Sequence, residues 1–194
     1  MNKKVLSFDA ETTSLRGSQL AIGAILFDEN GVEVNQFLGW RNPEEGERVD
    51  NWVKDNILPK IVTMPAKNQY QSRKELLAAF ADWYMKNGFV DAPAPWDAMQ
   101  TIKQADAIFI AHCGAPVEAN LIQALFEEGL IGEFNGPFPL HEVGTLLLKA
   151  GEDPNSVDSY NTKNGLSGRD FGGTHNPLDD SEKAYIAFRH LMGW

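Results

Sequence analysis

Two carboxylates, Asp9 and Glu11, stand two residues apart at the end of the apolar run Val5-Leu6-Ser7-Phe8. Along a strand, alternate side chains leave the same face. Both acids therefore project close together from one face. Like charges held that close repel unless a cation lies between them. Hard carboxylate oxygens suit Mg²⁺ or Mn²⁺. Two further acidic stretches follow in order, His112 to Glu118 and His175 to Asp180.

The last stretch opens an amphipathic helix. Pro177 suits its first turn. Asp180 shares a face with Ala184, Ala187, Phe188 and Leu191, the three- and four-residue spacing of a helix. An acid at the head of an inward face points to the core, where a lone charge is costly. A metal would partner it. Asp179 shares its face with Lys183, Ile186 and His190, which is less apolar. Glu118 sits at another helix start, on a face with Leu121, Ile122 and Leu125. Taken singly, the acids at helix starts also read as first-turn residues complementing the helix dipole, and a DxE pair at a strand end is common. Taken together, three acidic sites at strand ends and helix starts point to convergence at one sheet edge. His175 lies in the loop entering the last helix. His112 reads as a satisfied polar residue near the site, His141 as core or rim, and Cys113 as a small buried hydrophobe. No Ser-His-Asp motif, phosphate-cradling glycine loop or zinc-ligand spacing is present.

The elements that must position these residues follow from periodicity. Strands are expected at 4–9, 20–28 and 32–38, the last two joined at Asn30-Gly31, giving an antiparallel meander. Residues 41–71 read as loop with a short helix near 50–57. Leu76, Leu77, Phe80, Trp83 and Tyr84 predict a helix over 72–87. A short helix is expected at about 96–104 and a buried strand at 107–111. A helix runs from Pro116 to about Glu128. A short strand within 138–143 leads to a helix ending at Lys149. Residues 151–174, rich in Gly, Asn, Ser and Asp, read as a long loop, and the last helix reaches about Leu191. The order predicts an α/β fold, with a mixed sheet of about five strands flanked by helices, in one domain over residues 1–194.

The chain has 194 residues, 43% hydrophobic and 23% charged, which is ordinary for a globular protein with a sizeable core. No run of about 18 apolar residues is present, so no membrane span is expected. The first apolar run is broken at once by Asp9 and Glu11, unlike a signal peptide. The single cysteine, Cys113, excludes an intramolecular disulfide and fits a reducing cytoplasm. The net charge of −10 argues against a large basic surface for duplex nucleic acid, but not against a nucleic-acid enzyme whose acids hold metal. Short or end-only contact with a polymer is expected. Trp40, Trp52 and Trp96 read as core or interface, which leaves monomer and homodimer open.

Phe8-Asp9-Ala10-Glu11-Thr12-Thr13-Ser14-Leu15 resembles the first motif, DxETTGL, of the DEDD 3′–5′ exonucleases. His175-Asn176-Pro177-Leu178-Asp179-Asp180 resembles the third motif of the DEDDh branch, a His and an Asp separated by four residues. The resemblance runs in order along nearly the whole chain and implies a ribonuclease-H-like fold. The second motif departs from the pattern. The family places His-Asn and then an Asp five residues after the His, whereas Val117 holds that spot here and the acid follows as Glu118. Asp106 is the other candidate, at the far end of its strand. Ser14 replaces the usual Gly.

The resemblance implies that Asp9, Glu11, Glu118 and Asp180 hold two Mg²⁺ or Mn²⁺ ions, with His175 as general base on the attacking water. It implies that the Thr12 backbone meets the terminal sugar and that Leu15 wedges beside the last base. Single-stranded or 3′-ended DNA or RNA would be shortened to nucleoside monophosphates. The alternatives are an exonuclease-like binding module that has lost turnover at the irregular second motif, and a related endonuclease.

Overall fold

The computed structural model describes residues 3–94 and 97–194. The opening meander forms as the alternation predicts, with β1 (Lys4–Thr12) and β3 (Glu33–Trp40) longer than expected and β2 (Gln19–Phe27) shifted by one residue. The 41–71 segment carries two short helices, α1 (Asn51–Asn56) and α2 (Leu58–Ile61). The long helix α3 (Arg73–Gly88) is capped by Ser72, whose side chain accepts from the Glu75 N–H. After a hairpin of β4 (Phe89–Ala94) and β5 (Asp97–Ala105) come β6 (Ala107–Ala111) and α4 (Val117–Glu127). Then follow β7 (Leu140–Glu142), α5 (Val143–Lys149), α6 (Val157–Lys163) and α7 (Pro177–Met192).

The main sheet has five strands in the order β3-β2-β1-β6-β7. The β3-β2-β1 pairs are antiparallel and the β1-β6 and β6-β7 pairs parallel. Alternation along β1 splits its side chains between two cores. Leu6 and Phe8 pack with Leu76, Phe80 and Tyr84 of α3 and Leu121 and Leu125 of α4. Val5 packs on the other side with Val143 and Leu147 of α5 and Ala184, Ala187 and Phe188 of α7. β2 is buried along its whole length because both faces are covered.

Two expectations are corrected. The helix expected at 96–104 is instead strand β5, paired antiparallel with β4 from Phe89↔Ala105 to Pro93↔Thr101; residue 96 lies outside the described residues. Met99 and Gln100 favour helix locally, but hydrogen bonds to the preceding strand override that preference. The long loop expected at 151–174 contains α6. Its polar sequence hides it, yet Ser156 caps it by accepting from the Ser159 N–H, and Val157 and Tyr160 bury against α7. Of the tryptophans, Trp40 is core and Trp52 is exposed, while Trp96 is not among the described residues.

The start of α7 lies directly on β2. A Cβ at Gly23 would come within 2.3–2.5 Å of the Pro177 and Leu178 backbone. Ser181 Oγ spans the same contact, 3.2 Å from the Gly23 carbonyl oxygen. Gly23 is also the register partner of Asp9 on β1. This one bare backbone position therefore sets how closely the acids of α7 approach those of β1. Gly23→Ala is expected to destabilise the protein by about 1–3 kcal/mol through overpacking. It should also weaken any divalent-ion stabilisation. Thermal melts with and without Mn²⁺ check both; an unchanged melting temperature would show that the contact is not tight.

Candidate metal centre and active site

β1 outruns its parallel neighbour. It pairs with β6 only from Lys4↔Ala107 to Ser7↔Ile110, whereas its pairing with β2 continues to Thr12. Past Ser7, the β6 side of β1 is open. Such an opening at the carboxyl ends of parallel strands is where α/β sheets commonly bind ligands. Asp9 and Glu11 stand in this stretch, on the α7 face as the two-residue period requires. Glu118, in the first turn of α4, fills the gap in the ladder: its Oε1 accepts from the Ala10 N–H at 3.1 Å.

The acidic stretches meet. Asp9, Glu11, Glu118, His175 and Asp180 line one cavity of about 300 Å³, together with His112, Cys113, Val117, Thr174 and the start of α6. His175 Nδ1 lies 3.2 Å from Glu11 Oε1, and the His175 N–H donates to Asp180 Oδ2 at 2.9 Å. Ligand atoms of Glu11, His175 and Asp180 lie within 4.8 Å of one another. Glu118 is 2% exposed, and among the described residues its Oε2 has no hydrogen-bond partner. A buried, unpartnered carboxylate oxygen beside three other acids fits a cation. Asp106 pairs with Lys4 at 2.6 Å, at the other end of β1, and takes no part.

The electrostatics carry the signature of crowded acids. Withdrawal from water raises the Asp9 carboxyl well above its ordinary range, and Glu118, Asp180 and Glu11 add to the rise. Burial pushes Glu118 up to about 8, against the lowering bond from Ala10 N–H. Burial and then Glu11 push Asp180 up to about 7, against Lys183 and the His175 N–H. The hydrogen bond that the His175 ring donates to Glu11 raises His175, so its imidazole titrates higher than an unpartnered one. Acids raised in the fold bind more protons there than in the unfolded chain, so charging them opposes folding. In chelator, stability is therefore expected to fall as pH climbs from about 4 to about 8. Mn²⁺ at pH 8 should restore it by binding the ionised forms. Melting temperatures across that range check this, and a pH slope indifferent to Mn²⁺ would contradict a shared ion site.

The acids at the head of α7 have identifiable supports. Asn176 caps α7 by accepting from the Leu178 N–H, with Pro177 in the first turn, so the cap fixes where Asp180 starts. Asp179 is the more deeply buried of the pair, at 3% exposure, although its face is less apolar. Lys183 at 2.8 Å compensates its charge, leaving Asp180 to face the cavity. His175 has a positive φ of 67°, and Gly172 and Gly173 before it are also left-handed.

Sequence reasoning missed several supporting residues. Glu142 accepts from the N–H groups of Cys113, Gly114 and Gly144 at 2.7–3.0 Å, which anchors the turn between β6 and α4. The exposed Trp52 sets its ring edge-on to His175, with centroids 5.5 Å apart. Lys60 donates to the Thr174 carbonyl at 2.7 Å. No local pattern marks these partners; only the Asp50 cap ahead of α1 hints at a fixed start for the arm that carries Trp52 and Lys60.

Thr12 and Leu15 lie outside the cavity wall. Thr12 is buried and donates to the Ser14 carbonyl, and Leu15 projects into solvent at 71% exposure. Cys113 is exposed rather than buried, because the chain turns there at φ 57° and points it into the site's mouth. His112 Nε2 meets the Pro154 carbonyl at 3.0 Å, a satisfied polar residue at the site as expected, and His141 is exposed.

No family model and no curated protein matches the chain. Solved structures do. The nuclease domain of 3′hExo, a DEDDh family member bound to rAMP, is 14% identical, with a TM-score of 0.61 over 99% of this chain and 93% of that one. A 3′-exonuclease solved in 3′-end-specific recognition of the histone mRNA stem-loop is 13% identical, with a TM-score of 0.62 over 99% and 83%. The zinc-bound E. coli ExoI–ssDNA complex is 12% identical, with a TM-score of 0.61 over 99% of this chain but only 40% of that one. At such identities the likeness is one of architecture: the chain has the fold of the DEDDh 3′-exonucleases.

Proposed function

We propose that the chain is a metal-dependent 3′–5′ exonuclease that releases nucleoside monophosphates from a nucleic-acid 3′ end. The observation that supports this most is the meeting of Asp9, Glu11, Glu118 and Asp180 with His175 around one cavity at the open end of β1. The fold of the neighbours points the same way, and their bound rAMP and ssDNA support a nucleic-acid end as substrate.

The four carboxylates would hold two Mg²⁺ or Mn²⁺ ions, a pair that stabilises both the attacking and leaving oxygens of an in-line displacement. The chain's own residues supply the rest. His175 takes the proton of the attacking water as general base. Glu11, at its Nδ1, holds the resulting imidazolium. Trp52 edge-on and the Lys60–Thr174 bond keep the His175 loop in place. Thr12, the last residue of β1, and Leu15, on the loop after it, are proposed to meet the terminal sugar and base.

The displaced second-motif acid, Glu118 beside Val117, keeps alive the reading of a binding module without turnover. One experiment separates the two. Matched 3′-labelled single-stranded RNA and DNA are incubated with the protein in Mn²⁺, then in chelator, with Asp9→Ala as control. Ion-dependent release of mononucleotides, lost in Asp9→Ala, is expected. Binding without release would favour the module, and cleavage of a circular strand would favour an endonuclease.

A further inference from the structure

An apolar groove of about 420 Å³ lies between α4 and the segment that leads to β7. Ile122, Ile131 and Leu140, which pack on the α3 side of the core, form its floor. Phe126 and Phe138 line it at 46% and 95% exposure, and Phe134, next to the lining Glu133, is 85% exposed. Single exposed apolar residues are normal, but three phenylalanines around one apolar groove mark an interaction surface. The presenting loop is held by its own bonds. The Gly132 N–H donates to Asn135 Oδ1 at 3.2 Å, and the Asn135 N–H donates to the Gly132 carbonyl at 3.0 Å. Pro137 and Pro139 fix φ on either side of Phe138. The backbone that carries the rings is thus set in advance, which spares a partner the cost of ordering it.

The charge around the groove has one sign. No lysine or arginine occurs between Lys103 and Lys149, a stretch with six acids. Glu133 lines the groove, and Glu127 accepts from the amide of Gln123, which lines it too. Glu128, at the end of the same helix, pairs with Arg73 at 3.7 Å. Among the described residues Glu127 and Glu133 have no ion-pair partner, and no lysine, arginine or histidine lines the groove. These acids select the occupant. They repel the phosphates of a nucleic acid and the headgroups of an anionic membrane. A second copy docked through the same patch about a two-fold axis would set the acids against one another.

We propose that this groove docks a basic segment of a protein partner, with an apolar or aromatic side chain seated between Phe126 and Phe138 and lysines or arginines facing Glu127 and Glu133. Buried aromatic anchors supply most of the energy of such a contact. The rim charges set its specificity and its rate of association. Arginine suits the rim best, because it stacks on exposed rings as well as pairing with carboxylates. The groove shares no lining residue with the acidic cavity, so the docking does not rest on the exonuclease reading.

The test is a selection from random peptides displayed on phage, with the whole protein as target and Phe134→Ser/Phe138→Ser as counter-target. Both rings project into solvent, so that variant keeps the fold. Enriched sequences should join an aromatic or large aliphatic residue to several arginines or lysines. One such peptide, made with a fluorophore, should bind the parent in an anisotropy titration. Its affinity for Phe134→Ser/Phe138→Ser should fall at least about tenfold. Glu127→Gln/Glu133→Gln should bind it several-fold more weakly, and added salt should weaken binding to the parent more than to this variant. No enrichment, or enriched peptides without basic residues, would overturn the proposal. Equal affinity in the parent and both variants would do the same. Sedimentation that shows a dimer dissolved by Phe134→Ser/Phe138→Ser would give the groove to a second copy instead.

Discussion

Glu118→Gln should reduce mononucleotide release at least ~100-fold. Outer partners of a metal site alone cost 10–100-fold when removed, and a ligand costs more. Gln keeps the shape and keeps an oxygen to accept from the Ala10 N–H, so the fold has no reason to fail. The variant should even gain stability under alkaline conditions. With its pKa raised from 4.5 to about 8, Glu118 stays protonated in the fold while the unfolded chain ionises, so in the absence of ions the fold loses stability across that range and the full cost stands above it. In chelator, Glu118→Gln should therefore melt higher than the parent at pH 9, with the difference nearly gone below its unfolded value of 4.5. Activity lost with stability kept marks a residue of the site rather than of the scaffold. Full activity in Glu118→Gln would show that the second-motif acid lies elsewhere.

Glu47→Ala should be the most damaging change away from the cavity. Arg41 is fully buried, and three of its bonds fix the segment after β3: Nε to the Gln19 carbonyl and two N–H groups to the Glu47 carboxylate. Removing the acid leaves a buried guanidinium uncompensated, which costs about 3–5 kcal/mol. For a chain of this size that is a fall in Tm of roughly 10 °C. Replacing both residues together, Arg41→Met/Glu47→Met, should recover much of the loss, since no charge is then stranded. The pair also has a pH signature. Arg41 first, then the Glu44 N–H, lower Glu47 from an ordinary 4.5 to about 2. A depressed carboxylate stabilises the fold above its unfolded pKa and loses that contribution as pH falls toward the folded one. The parent should weaken between about pH 4.5 and 2 by more than Glu47→Gln does. Chemical denaturation at pH 7 and pH 3 measures both effects, and a Glu47→Ala variant as stable as the parent would rule out the pair as a structural support.

What could be read from the residues alone was what obeys a local period. Asp9 and Glu11 share a face because strands repeat every two residues, and Asp180 turns inward because α7 repeats every 3.6. The meander, α3, α4 and α7 were legible for the same reason. Pairings between distant segments were not. β5 carries helix-favouring residues and is a strand only because β4 lies beside it. α6 has two buried apolar anchors, Val157 and Tyr160, in an otherwise polar stretch, too few for a periodic signal. Arg41 and Glu47 look like ordinary loop charges until the buried fork joins them, and Glu142 like any acid before a helix until three N–H groups converge on it. The burial of Asp179 ran against the apolarity of its face because Lys183 compensates it, a contact the pattern does not weight.

The Glu118–Ala10 bond makes one peptide group a gauge of the whole centre. Where a longer β6 would have supplied a carbonyl, an ionisable side chain closes the ladder, so backbone order and site charge meet at a single hydrogen bond. Whatever draws that carboxylate outward, an ion or an incoming 3′ end, must loosen the Ala10 amide. Its deuterium uptake can therefore report occupancy from inside the sheet, with no label on the ligand.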